Sequence, residues 1–189
     1  MEHGNGYTMN NISVAVFCGS RYGVNPQFKK DADILGRLIA ANNCRLIYGG
    51  GNNGLMAEVA NSVMNAGGAV TGIMPRLLID RENQHTGITE LLIVEDMHQR
   101  KRLLFEKCDL AIILPGGFGT LDELFEMLTW NQLSIHQLKV IILNSAGFYD
   151  ALIGHLEKMK EEGFLYQPLE ENIRVVNTPE EIFATTTAP

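Results

Sequence analysis

The chain has 189 residues, 46% hydrophobic and 20% charged, which is ordinary globular usage and excludes disorder over most of its length. Lys and Arg number 15 against 22 Asp and Glu, a net charge of -7 that argues against general binding to nucleic acid or to an anionic membrane but leaves room for a local basic pocket. The three cysteines, Cys18, Cys44 and Cys108, lie far apart beside apolar runs, so they read as reduced thiols of a cytoplasmic protein, without metal-ligand spacing or a disulfide framework.

Residues 1–10 (MEHGNGYTMN) are polar, lack the apolar stretch of a signal peptide and are expected to form a mobile leader. No apolar run approaches the roughly 20 residues of a membrane span. Ile12 to Cys18 (ISVAVFC) is short, apolar and β-branched, which predicts a buried strand. Gly19, Ser20 and Gly23 predict a loop, and Gln27 to Ala41 a helix with Phe28, Ala32, Leu35, Leu38 and Ile39 on one face. CRLIY predicts a second strand, broken by GGGNNG (Gly49 to Gly54), and Leu55 to Ala66 a helix facing inward through Leu55, Val59, Val63 and Ala66. AVTGIM predicts a third strand stopped by Pro75, residues 79–89 are polar and irregular, and LLIVE predicts a fourth strand. MHQRKRLLFEKC predicts a helix, LAIILP a strand, GGFGT a loop, and Thr120 to Gln132 a helix with Leu121, Leu124, Phe125 and Leu128 as its inner stripe. KVIILN, a helix from Phe148 to Lys160, IRVV and a short helix from Pro179 complete the series.

This repeated alternation predicts the α/β class: a single Rossmann-like, doubly wound parallel sheet with helices on both faces. It occupies one domain over 11–184, with 185–189 a tail. Ligands of such sheets bind beyond the carboxyl ends of the strands, where the strand order switches. That rim carries Ser20, Gly49 and Gly50, the loop after Met74, and Gly116, Gly117, Gly119 and Thr120.

Glycine lets main-chain N–H groups approach an anion, and a following helix start adds positive potential. PGGFGT leads from a buried strand straight into a helix, which is the context an anion site needs; the plain alternative is a tight connecting turn. Neither glycine loop is a Walker loop, because no Gly-Lys-Ser/Thr follows, and neither fits the dinucleotide fingerprint. A second signal is electrostatic. Asp96 reads as an N-cap, so His98, Arg100, Lys101 and Arg102 crowd a helix start that is already partly positive, a repulsion of up to about 1 kcal/mol per charge. A phosphate or a cluster of carboxylates would reverse that sign; a solvated basic face is the alternative. Asp122, Glu123 and Glu126 supply acid in the first turns after GGFGT. Asp122 and Glu126 read as ordinary helix-start stabilisers, whereas Glu123 lies just inside the loop that would hold the anion. Glu82, in the polar loop, is a further candidate on the same rim.

MHQRK (97–101) followed by PGGFGTLDE (115–123) resembles the paired signature of the LOG (Lonely Guy) family. The likeness extends through VFCGSRYG, YGGGNNGLM, GIMP, ELLIVEDMHQRKRL, LTWNQLSIHQLKV and NSAGFYDALI, about residues 12–177. The family's members are cytokinin riboside 5′-monophosphate phosphoribohydrolases, long mislabelled as lysine decarboxylases. One departure is Arg21, where many members carry a second serine after CGS. The resemblance implies hydrolysis of the N-glycosidic bond of (N6-prenyl)adenosine 5′-monophosphate to free base and ribose 5-phosphate. It implies Arg100 and Glu123 as the catalytic pair. It puts Lys101, the Gly117 to Thr120 backbone, Glu82 and Thr129 in contact with the nucleoside 5′-monophosphate, with Ser20 a weaker carry-over. It also implies a homodimer with the site near the subunit interface, and the reaction calls for no metal and no cofactor. Phe125, Leu128, Trp130 and Leu133 are the apolar residues on and after the motif helix that would serve a partner or the core.

Three other readings stand beside this one. A nucleotide-binding carrier of the molybdenum-cofactor-carrier type would hold a nucleotide without turnover. A broader nucleoside-monophosphate nucleosidase would keep the chemistry and change the base. A pyridoxal-phosphate decarboxylase needs a Schiff-base lysine with an acidic partner for the ring nitrogen; Lys101 is the only lysine on the motif rim, and cations flank it.

Overall fold

A computed structural model describes residues 11–79 and 83–184; the expected leader at 1–10, the tail at 185–189 and Glu82 lie outside these residues. Seven strands form one sheet: β1 Ser13–Phe17, β2 Arg45–Tyr48, β3 Ala69–Pro75, β4 Glu90–Val94, β5 Leu110–Ile113, β6 Lys139–Leu143 and β7 Ile173–Val176. Every pairing is parallel, in the order β4-β3-β2-β1-β5-β6-β7. The helices are α1 Pro26–Ala41, α2 Gly54–Asn65, α3 Met97–Glu106, α4 Phe118–Gln132, α5 Asp150–Glu161, α6 Leu169–Asn172 and α7 Pro179–Phe183. The expected doubly wound α/β sheet is the observed one.

Side chains alternate across a strand, and each strand therefore feeds two cores. Val14 and Val16 of β1 pack with Leu35 of α1, Val59 of α2 and Ile182 of α7, whereas Ala15 and Phe17 pack with Leu104 of α3, Leu124 of α4 and Leu156 of α5. Complete burial of a side chain such as Leu35 contributes about 1.5–3 kcal/mol, which is why apolar strands flanked by amphipathic helices settle into this layering. Strands 1 to 4 run outward on one side, and β5 returns to the other side of β1. The switch in strand order thus falls between β1 and β5.

Several boundaries differ from expectation. Helix α4 starts at Phe118, two residues before Thr120, with Gly117 as its N-cap. Its buried face is Thr120, Leu124, Met127 and Asn131; Leu121 and Leu128 only flank it, and Phe125 is 37% exposed. Counting apolar residues rotates this helix wrongly because two inward positions, Thr120 and Asn131, are polar. The Asn131 amide donates to the Leu138 carbonyl at 2.8 Å and accepts from the Leu138 N–H at 3.1 Å, while Thr120 fills space beside Gly116. Ala66 is the exposed C-cap of α2 rather than part of its inner face, and the four-residue α6 has no counterpart in the sequence reading. All three cysteines are free, Cys44 and Cys108 buried and Cys18 half-buried. Among the described residues no helix is long and apolar enough to cross a membrane.

Candidate active site

The crevice at the strand-order switch is closed by main-chain contacts. The Gly19 N–H donates to the Pro115 carbonyl (3.0 Å) and the Leu114 N–H to the Phe17 carbonyl (2.9 Å), so the β1–β5 pairing continues into the two loops. Gly116 lies against Gly19, and the buried Thr120 hydroxyl stands where a side chain on Gly116 would be. Beyond this point α4 begins. The N–H groups of Phe118, Gly119 and Thr120 have no carbonyl one turn back, and the first helical bond runs from Leu121 N–H to Gly117 (3.1 Å). A Cβ on Gly117 or Gly119 would meet nothing within 4 Å. An uncapped helix start opening onto free space can hold an anion, because the donors and the helix dipole both point at it.

The other glycine loop is used differently. The start of α2 is covered: the Leu55 N–H donates to the Gly19 carbonyl (3.1 Å), and the Ser20–Arg21 backbone lies directly over Gly54. Ser20 itself is exposed. The space a side chain on Gly49 would need holds the Arg100 guanidinium. Gly50, with φ 82°, lies on Gly72 and Met74 of β3. Gly49 and Gly50 therefore have contacts within the protein that account for their lack of side chains.

Arg100 and Lys101 come from α3, whose start is fixed by Asp96, the expected N-cap, accepting from the Gln99 N–H at 2.8 Å. Arg100 is only 7% exposed. One of its Nη atoms lies 3.9 Å from the Met97 sulfur, and its Nε has no hydrogen-bond partner among the described residues. A buried N–H without a partner is costly, so this Nε calls for an oxygen acceptor. Lys101 already has partners: Asp122 at 2.8 Å and Glu126 at 2.9 Å. Burial pulls the lysine pKa down, but the hydrogen bonds and charges of the two carboxylates outweigh it, and the ammonium titrates above the ordinary lysine range. Two of the three acids after GGFGT are thus the carboxylate cluster that offsets the basic start of α3. A permanently charged strut is also the opposite of the neutral amine a Schiff base requires.

Glu123, half-buried, is the third of these acids. Burial first and the Glu123 carboxylate second push the Cys18 thiol up, which puts that carboxylate near the carboxyl end of β1. Arg100 stands at Gly49, directly after β2. Strands β1 and β2 are neighbours, so one spacing of about 4.8 Å separates the strand ends that the two groups overlook. The Lys101–Asp122 pair ties α3 to α4 one residue along the chain from each of these two groups.

Residues 83–85, after the third strand, are more ordered than the sequence suggests. The Asn52 N–H donates to Asn83 and the His85 N–H to Gly50, both at 2.9 Å, and Gly51 bridges Gln84. His85, buried here, was not singled out from the sequence; a lone histidine in a polar loop gives no periodic signal. Glu82 precedes this stretch and lies outside the described residues. Thr129 is not brought to the rim. It sits roughly 15 Å beyond Gly119 along α4, at a rise of about 1.5 Å per residue. Its hydroxyl donates to the Phe125 carbonyl (2.7 Å), and it lines a hollow of about 100 Å³ with Leu128, Met159 and Tyr166.

A family model described as possible lysine decarboxylase matches residues 56–186. The chain is 39% identical over 178 residues to a cytokinin riboside 5′-monophosphate phosphoribohydrolase of Rhodococcoides fascians, covering 94% of this chain and 90% of that protein. It is 43% identical over 152 residues to the protein of the same name from Arabidopsis thaliana, covering 80% and 71%. Among solved structures, the molybdenum cofactor binding protein of Rippkaea orientalis superposes with a TM-score of 0.68 at 22% identity, over 92% of this chain and 94% of that one, a likeness of fold alone.

Proposed function

The chain belongs to the LOG family of phosphoribohydrolases, and from that premise we propose that it hydrolyses the N-glycosidic bond of an adenosine 5′-monophosphate, with or without an N6-prenyl group, to free base and ribose 5-phosphate. The observation that carries the reading is Arg100: a buried guanidinium whose Nε has no partner among the described residues, seated on Gly49 at the end of the strand next to the one that Glu123 overlooks.

In this reading the 5′-phosphate rests on the N–H groups of Gly117 to Thr120. The ribose then extends toward the ends of β1 and β2. As the bond from C1′ to the base nitrogen breaks, positive charge develops on the sugar, as in other glycoside hydrolyses. A fixed carboxylate at Glu123 stabilises that charge most when it appears, and so lowers the barrier rather than merely tightening binding. Water adds to C1′ and loses a proton, and the base leaves with its bonding electron pair and takes up a proton. Arg100 holds the sugar oxygens or the Glu123 carboxylate through its planar fork of donors. The phosphate lies away from the broken bond, and its binding free energy orients the ribose. Lys101 acts beside this site by holding α3 to α4, and Glu82 contributes from the adjoining loop.

We further place the site at a homodimer interface. Leu133 and Ile135, just after α4, are 63% and 61% exposed, Phe118 is 95% exposed, and Thr129 lies too far along α4 to touch a nucleotide held by its own chain. Across a two-fold interface it would reach the partner's site. The three free thiols fit a reducing cytoplasm.

Chromatography of purified protein incubated with AMP and with N6-isopentenyl-AMP tests the reaction. Release of base from one or both is expected, and the ratio of rates identifies the preferred base. Stoichiometric binding with no base released over hours would favour a carrier instead.

A further inference from the structure

Gly49, Gly50 and Gly51 have no side chains with which to pack, so the seat they form for Arg100 must be fixed from outside. The fixing comes from His85. Its backbone N–H donates to the Gly50 carbonyl at 2.9 Å. Its ring is 7% exposed and uses both nitrogens: Nε2 lies 3.0 Å from Oδ1 of Asn61 on α2, and Nδ1 accepts the Gly87 N–H at 3.2 Å. The Asn61 oxygen only accepts, so Nε2 carries the proton and the ring is neutral. Gly50 is pressed onto Gly72 and Met74, and Gly49, the next residue back, carries the guanidinium.

We propose that His85 is a positioning residue for Arg100: anchored to Asn61 and Gly87, it clamps the Gly49–Asn52 loop against β3 and so sets where the guanidinium stands. The proposal rests on the reading of Arg100 given above and extends it to a residue that need not touch the nucleotide. Asn61 is exposed on α2, so its substitution tests the anchor without disturbing the core.

The experiment uses the full chain with His85→Ala, His85→Gln and Asn61→Ala. A glutamine amide reaches Asn61 in place of Nε2, whereas alanine does not. For AMP, kcat falls about tenfold in His85→Ala with KM within about threefold of the parent, and His85→Gln recovers most of the loss. Asn61→Ala shows the same kcat-selective loss at smaller size, and decides the matter if His85→Ala does not fold. An unchanged kcat in the folded variants, a rise in KM alone, or no recovery with glutamine overturns the proposal. Amide hydrogen exchange separates this from failure of the reaction itself. If the parent protein releases no base, the proposed reaction fails while exchange still reads the clamp: residues 49–52 must exchange faster in His85→Ala and Asn61→Ala and be restored in His85→Gln, and unchanged exchange overturns it.

Discussion

The guanidinium of Arg100 occupies the space that a side chain on Gly49 would need. A glycine at the end of a buried strand is thus matched to an arginine on a helix that follows two strands later. Gly49→Ala puts a methyl group into that space. The long arginine side chain yields more readily than the backbone, so the fold survives and the guanidinium moves. Turnover of AMP falls about 100-fold, the size of loss that a displacement of about 1 Å produces at a reacting centre. Steady-state kinetics beside a thermal melt check this, and a near-parental rate would separate Arg100 from the chemistry.

Lys101 holds Asp122 and Glu126 together. Lys101→Met keeps the length of the side chain but leaves two carboxylates, one turn apart on α4, without the cation from α3 that joins them. The half-buried setting puts the loss at about 1–2 kcal/mol, between the values for exposed and for buried pairs. Urea unfolding measures it; an unshifted midpoint would show that the ammonium is not a strut.

At the open start of α4, stability and binding respond in opposite directions. Gly119→Asp adds a carboxylate where the helix dipole favours one and where nothing within 4 Å obstructs it. Stability rises by about 0.3–1 kcal/mol. The same charge repels a phosphate, and AMP binds at least about tenfold more weakly. Adenosine, which lacks the phosphate, is a poor substrate for the parent, with kcat/KM lower by about 100-fold or more. Equal rates on adenosine and AMP would remove the phosphate anchor.

The strand–helix alternation was readable because each apolar run is short and each helix carries a stripe, so layers and rim followed from periodicity alone. Arg100 and Lys101 stood out because cations are unfavourable at a helix start, and Glu123 because it follows the glycine turn. Their partners were not readable. That Gly49 seats Arg100 and that Asp122 and Glu126 bind Lys101 depend on how α3 and α4 dock, which no local spacing encodes. The inner face of α4 differs from the apolar count for a related reason: Asn131 is buried because Leu138 satisfies its amide and Thr120 because it packs on Gly116, and a hydrophobic count passes over both.

Two histidines set an acid limit on stability. Burial holds the His85 and His136 pKa values below the ordinary 6.5. As pH falls below about 6.5 the unfolded chain takes up protons that these folded rings refuse, so their contribution is complete near pH 7.5 and is lost progressively on acidification. The urea midpoint should fall between about pH 7 and 5, and His85→Gln with His136→Gln should flatten that decline. An equally steep decline in the double variant would assign it to other groups.

The most direct measurement compares AMP binding and base release in the parent protein and in Glu123→Ala. Binding within about fivefold of the parent, with release reduced by at least about 1000-fold, is the expected pair of results for a carboxylate that acts on the transition state and leaves the phosphate seat intact. Release at a near-parental rate in Glu123→Ala would contradict the account, because no carboxylate at that position would then be stabilising charge on the sugar.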